Sequence, residues 1–124
     1  MIFDAIKLVL PELKDYIKYR KEKKYEVYRA VEAIQRAANR TRFVIASNNY
    51  RPHTPNAELS DLWVEAATTV REINSDLYIR LLDKSNYWAD PRNWNNKMVE
   101  DARIYIEDII EDSNKILKEL SERE

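Results

Sequence analysis

The chain has 124 residues and not one of them is glycine, where average usage would place roughly nine. Glycine alone enters left-handed and crowded backbone conformations without steric cost. Its absence predicts turns made with proline, asparagine, aspartate and serine, and helices that end by capping and proline. It also removes functions. A P-loop, a dinucleotide-binding Gly-x-Gly turn, a kinase glycine loop and a Gly-x-Ser-x-Gly nucleophile elbow all need glycine at fixed positions. Cysteine is absent too, which excludes disulfides, thiolate zinc sites and thiol nucleophiles.

Apolar residues recur at three- and four-residue steps, the period of amphipathic helices, and no segment sustains strand alternation. The spacing predicts an all-α fold: a single domain over 1–124, an antiparallel up-down four-helix bundle with helices at about 2–20, 25–48, 56–87 and 92–121. The second helix carries Val27, Ala30, Val31, Ile34, Ala37, Ala38, Thr41, Val44 and Ile45 on one stripe. The third carries Leu59, Trp63, Ala66, Val70, Ile73, Leu77, Leu81 and Trp88 in one phase, which favours continuity through Asn74-Ser-Asp76. The fourth carries Met98, Ala102, Tyr105, Ile109, Ile116 and Leu120 at near-heptad spacing. Thr54-Pro55 and Asp90-Pro91 read as N-cap and first-residue pairs. The apolar start is interrupted by Asp4 and Lys7 and has no signal-peptide frame, and no stretch is long enough to span a membrane, so a cytoplasmic location is expected.

Charge is unevenly placed. Residues 1–51 hold twelve Lys/Arg against six Asp/Glu, and 95–124 hold five against nine, within a net charge of −1. Side-by-side helices would largely cancel these fields. Arg29, Arg36 and Arg40 form a stripe on the second helix facing away from the core, where pairing with Glu32 or an acidic neighbour helix is expected. Binding of a nucleic acid or anionic membrane surface through the basic half is an alternative, but nucleic-acid binders usually carry a stronger positive balance.

Acidic residues are plentiful on the third and fourth helices. Glu100, Glu107 and Glu111 lie opposite the apolar stripe of the fourth helix, and Asp101, Asp108 and Asp112 flank it; Glu58, Asp61, Glu65 and Glu72 oppose the stripe of the third. A solvated acidic face is the expectation. Glu58-x-x-Asp61 and Asp108-x-x-Glu111 resemble spacings in all-α magnesium-dependent nucleotide pyrophosphohydrolases, and that resemblance implies, as an alternative, a metal held by Glu58, Asp61, Asp108 and Glu111. A di-iron bundle needs two Glu-x-x-His pairs, and the one histidine, His53, sits in a proline-rich loop. No cofactor is indicated.

The segment 84–94, Lys-Ser-Asn-Tyr-Trp-Ala-Asp-Pro-Arg-Asn-Trp, packs two tryptophans, a tyrosine and an arginine around one connection. In an up-down bundle it shares an end with the first turn. Tyr19, Arg20, Lys21, Lys23, Lys24 and Tyr25 are then expected near Tyr87, Trp88, Arg92 and Trp94, while Tyr50, Arg51 and His53 occupy the opposite end. Aromatic and basic residues together make a contact surface. Such a surface implies a protein-interaction or adaptor module, binding another protein or itself, although Trp88 and Trp94 equally suit plugs for the bundle end.

Overall fold

The structure, a computed structural model, describes residues 25–122, and among these it is all helical with no strand. The expected helix at 2–20, with Tyr19, Lys21 and Lys24, lies outside the described residues. Helix α1 runs over 25–46, α2 over Ala57–Val70 and α3 over Ser75–Ala89. One turn of 3-10 helix, Pro91–Asn93, precedes the short α4, Asn96–Asp101, and α5 spans Ile106–Glu122.

The helix starts are set by asparagine. Asn56, Asn74 and Asn95 each hold an extended backbone while the side-chain oxygen accepts from the amide three residues on: Leu59 at 3.0 Å, Leu77 at 2.9 Å and Met98 at 2.8 Å. Each such cap contributes about 1 kcal/mol. This corrects the expected Thr54-Pro55 start, which lies two residues before the true cap, and the Asp90-Pro91 pair, which opens only the 3-10 turn. It also corrects the continuous third helix. Asn74 caps a new helix, so α2 and α3 form a hairpin, and the seven-residue step from Val70 to Leu77 spans the turn without breaking the apolar phase.

The expected fourth helix is interrupted as well. At the end of α4 the Arg103 amide donates to Glu100 O at 3.0 Å and the Ile104 amide to Val99 O at 3.4 Å, with Arg103 left-handed at φ 53°. This is the Schellman arrangement, with arginine where glycine usually stands. His53, at φ 63°, is the other left-handed residue among the described ones. Two residues with side chains thus take the conformations for which this chain has no glycine. The break shifts the apolar register: Met98 and Tyr105 are exposed, Ile104, Ile106 and Ser113 are buried in their place, and Ile109 is buried as expected.

The core draws on α1, α2, α3 and α5, with Trp63 at its centre, fully buried. The Trp63 indole N–H donates to Thr41 Oγ1 at 3.0 Å, and that hydroxyl donates to Ala37 O at 2.7 Å, so no polar atom of the chain of donors is stranded. Small residues bring α2 and α3 together: the Ser85 hydroxyl donates to Ser60 O at 2.8 Å, and the two serine oxygens lie 3.1 Å apart. The Asn56 amide ties the start of α2 to Trp88 O near the end of α3 at 2.9 Å. Outside the core, Arg40 pairs with Glu58 at 2.7 Å and Arg36 with Glu65 at 3.9 Å, so α1 and α2 run in opposite directions.

Candidate functional site

The end of the molecule where α3 stops gathers two of the three tryptophans, Trp88 and Trp94. Tyr87 meets Trp88 edge-on, with centroids 5.2 Å apart and planes at 84°, and meets Trp94 at 6.3 Å and 73°. These geometries are favourable for aromatic pairs. Trp88 is buried and Trp94 half-buried, whereas Arg92 stands exposed on the 3-10 turn. Four residues of the expected surface are therefore neighbours. Tyr25 is not among them. It lies on α1 two residues before Val27, which shares a pocket with Val70, Leu77 and Ile116, whereas Val44, about 25 Å further along the helix, lines a cleft with Trp88.

The loop 48–56 occupies the place assigned to the basic turn. Tyr50, Arg51, Thr54 and Asn56 share a cleft of about 190 Å³ with Val44 and Trp88. The two connections lie at one end, because splitting the third helix reversed the direction of everything after Val70.

A second cleft, of about 260 Å³, adjoins the first through Tyr50 and Trp88. Its walls are Ile45 from α1, Tyr87 from α3, Val99 from α4, Ile104 and Tyr105 from the turn between α4 and α5, and Ile106 and Glu107 at the start of α5. Ile45 lies on the core-facing stripe of α1 yet is 44% exposed, and Tyr105 is 46% exposed. The apolar stripe thus overruns the packed core and ends at an opening.

Lys84 lines this cleft and is only 7% exposed. Its ammonium lies 5.8 Å from the Trp63 ring centre and 5.7 Å from that of Tyr87. Among the described residues it makes no hydrogen bond or ion pair. Burial lowers its pKa from 10.5 to about 8, with the Glu107 carboxylate acting through space in the opposite sense. Burial also raises the Tyr87 phenol, assisted by Tyr50. The Trp88 indole N–H is buried with no partner, unlike that of Trp63, so the expected plug lacks the loop carbonyl that would satisfy it. Sequence reading passed over Lys84 because a lysine is ordinarily solvated. The available signal was its position, seven residues before Pro91 and on the same helical face as Leu77, Leu81 and Trp88.

Because the Lys84 pKa is lowered on folding, the unfolded chain binds the extra proton between about pH 8 and 10.5, and stability rises with pH across that window. Between pH ~7.5 and ~9.5, below the range where Tyr87 titrates, the gain is expected to be about 1–2 kcal/mol. Urea unfolding of wild type and Lys84→Met at both pH values checks this. Equal pH slopes for the two proteins would refute it.

A second buried cation lies one turn away. Arg80 is 4% exposed; its Nε and Nη2 donate to Arg103 O at 3.0 and 2.9 Å, and Nη1 donates to Asp112. Arg103 in turn donates to Asp76 at 2.7 Å. This network joins α3, the left-handed turn and α5. Asp112 was expected only to flank the apolar stripe.

The residues of the metal alternative are not brought together. Glu58 pairs with Arg40, Glu111 with Lys115 at 3.3 Å, and Asp61 and Asp108 are exposed on different helices. Among the described residues no group of three or more His, Asp or Glu side chains is placed to hold a metal ion. Likewise, no helix among them is long and apolar enough to cross a membrane. Comparison with protein-family models, curated proteins and solved structures finds no match.

Proposed function

We propose that α1, α2, α3 and α5 close into an up-down four-helix bundle that acts in the cytoplasm as a protein-interaction module, with its docking surface at the end bearing Tyr87, Trp94 and Arg92. The closure is supported by opposed neighbours: Arg40 with Glu58 across α1 and α2, Ser60 with Ser85 across α2 and α3, and Arg80 with Asp112 across α3 and α5. The observation that carries the functional reading is the exposed apolar rim of the larger cleft, formed by Ile45 and Tyr105 over aromatic walls. Apolar anchors entering such clefts supply most of the energy at protein interfaces.

Arg51, Arg92 and Lys97 surround this end, exposed and without ion pairs among the described residues. The partner is accordingly a protein segment with one aromatic or aliphatic anchor flanked by acidic residues. Peptides selected from a random display library on the wild-type protein are expected to share that pattern, and Ile45→Lys or Tyr105→Lys is expected to weaken them at least about tenfold, or ~1.4 kcal/mol. Selected peptides that bind wild type and both variants equally would sink the proposed surface. Sedimentation of the three proteins tests the remaining occupant: a concentration-dependent dimer lost in Ile45→Lys would replace the foreign partner with a second copy.

A further inference from the structure

The floor of the cleft is chemically distinct from its rim. Lys84 lines it, almost wholly buried, with its ammonium facing only aromatic rings. A solvated lysine has no reason to lose water here: no carboxylate is bonded to it, and the cation–π contacts near 6 Å are at the outer limit of useful attraction. The charged and titratable groups around it are Glu107 from α5, Tyr87 from α3, Tyr50 from the loop after α1 and Tyr105 before α5. The partnerless Trp88 N–H belongs to a residue of the same wall.

We propose that Lys84 is a nucleophilic amine that forms an imine with a small aldehyde of apolar, preferably aromatic, body seated in this cleft. Size permits it: a cavity of about 150 Å³ holds benzene, and this cleft measures about 260 Å³. Charge selects it over an anion, because Glu107 in the wall repels a second carboxylate and the remaining walls are apolar. Desolvation in an apolar pocket is the usual route by which lysine becomes a nucleophile.

In the step itself the lone pair of neutral Nζ attacks the carbonyl carbon, and the carbonyl oxygen takes up a proton. That proton is one of the two the amine gives up; the second follows it to the same oxygen, which leaves as water and gives the carbon–nitrogen double bond. At pH 7 a lysine of pKa about 8 is neutral in about one molecule in ten, against about one in three thousand for an ordinary lysine. This site lies beneath the docking rim and does not depend on it.

Full-length protein treated at pH ~7 with benzaldehyde and cyanoborohydride, which delivers hydride to the imine carbon and fixes it as a benzylamine, is read by peptide mass spectrometry. Lys84 is expected to label at least about tenfold faster than exposed Lys97 and Lys115, the larger neutral fraction outweighing reduced access. Glyoxylate, an anionic aldehyde, is expected to lose that preference. Ile45→Trp, which fills the cleft from the rim, is expected to slow benzaldehyde labelling of Lys84 about tenfold with an unchanged circular dichroism spectrum. Labelling of Lys84 no faster than Lys97 overturns the proposal, and so does an equal preference for both aldehydes, which would mean an activated amine without a binding site. Neither result bears on the rim variants, so the docking reading stands or falls separately.

Discussion

Trp63→Ala is expected to destabilise the fold by about 3–5 kcal/mol, lowering the melting temperature by roughly 10–20 °C. Trp63 is the largest fully buried side chain, and it touches both neighbours of α2. Toward α1 its N–H satisfies the Thr41 oxygen; toward α3 its ring underlies Lys84. Truncation removes the apolar contact area and leaves a cavity that rigid helices refill only in part. Trp63→Phe keeps a six-membered ring but loses the rest of the indole with its N–H, and is expected to cost less than the alanine variant, about 2–3 kcal/mol. Thermal and urea unfolding followed by circular dichroism measure both. Equal costs for the two substitutions would mean that the hydrogen bond, not the volume, holds α1 to α2. Natural domains have only ~5–15 kcal/mol in hand, so the alanine variant is expected to be partly unfolded near 37 °C.

The next largest effect is expected at Asp112. Asp112→Ala leaves the buried Arg80 with only the exposed Asp76 carboxylate, 4.0 Å away, as an ion-pair partner among the described residues, at a cost of about 2–3 kcal/mol; the fully buried case runs to about 3–5, and Asp112 is itself one-third exposed. Arg80→Met is expected to cost less than Asp112→Ala, because it removes the buried charge together with its desolvation penalty, although Arg103 O then loses two donors. By contrast Arg36→Ala, which breaks only exposed pairs, is expected to stay within about 0.5 kcal/mol. Urea midpoints of the three variants form the test, and an Asp112→Ala cost as small as that of Arg36→Ala would show that Arg80 is solvated after all. Added salt discriminates further. It screens the Arg36 pairs and leaves the buried contact nearly unchanged.

The second effect depends on a turn that glycine would normally make. Arg103 holds the left-handed position, which costs roughly 1–2 kcal/mol for a residue with a Cβ. The two bonds from Arg80 to its carbonyl and the bond from its side chain to Asp76 offset that cost. The absence of glycine therefore did not exclude left-handed turns. It moved their stabilisation from the local backbone to tertiary contacts.

What the sequence by itself determined was the helical period and most residues on each apolar stripe: Val27 through Thr41, and Leu59 through Trp88 apart from half-buried Ile73, are buried as spaced. Burial follows from a repeat near 3.6 residues, which is a local property. Helix ends were less legible, because an asparagine caps or does not cap according to a single backbone angle; Asn56 and Asn95 were outranked by the prolines before them, and Asn74 by the apolar phase that runs on through it. Only the tertiary structure decided which connections share an end. One turn at 71–74 reversed the chain, separated Tyr25 from Trp88 and brought Tyr50 beside it. It also decided the fates of Arg80 and Lys84, since whether a long cation reaches water depends on what packs above it, here Asp112 and the turn at Arg103 in one case and the aromatic wall of a cleft in the other.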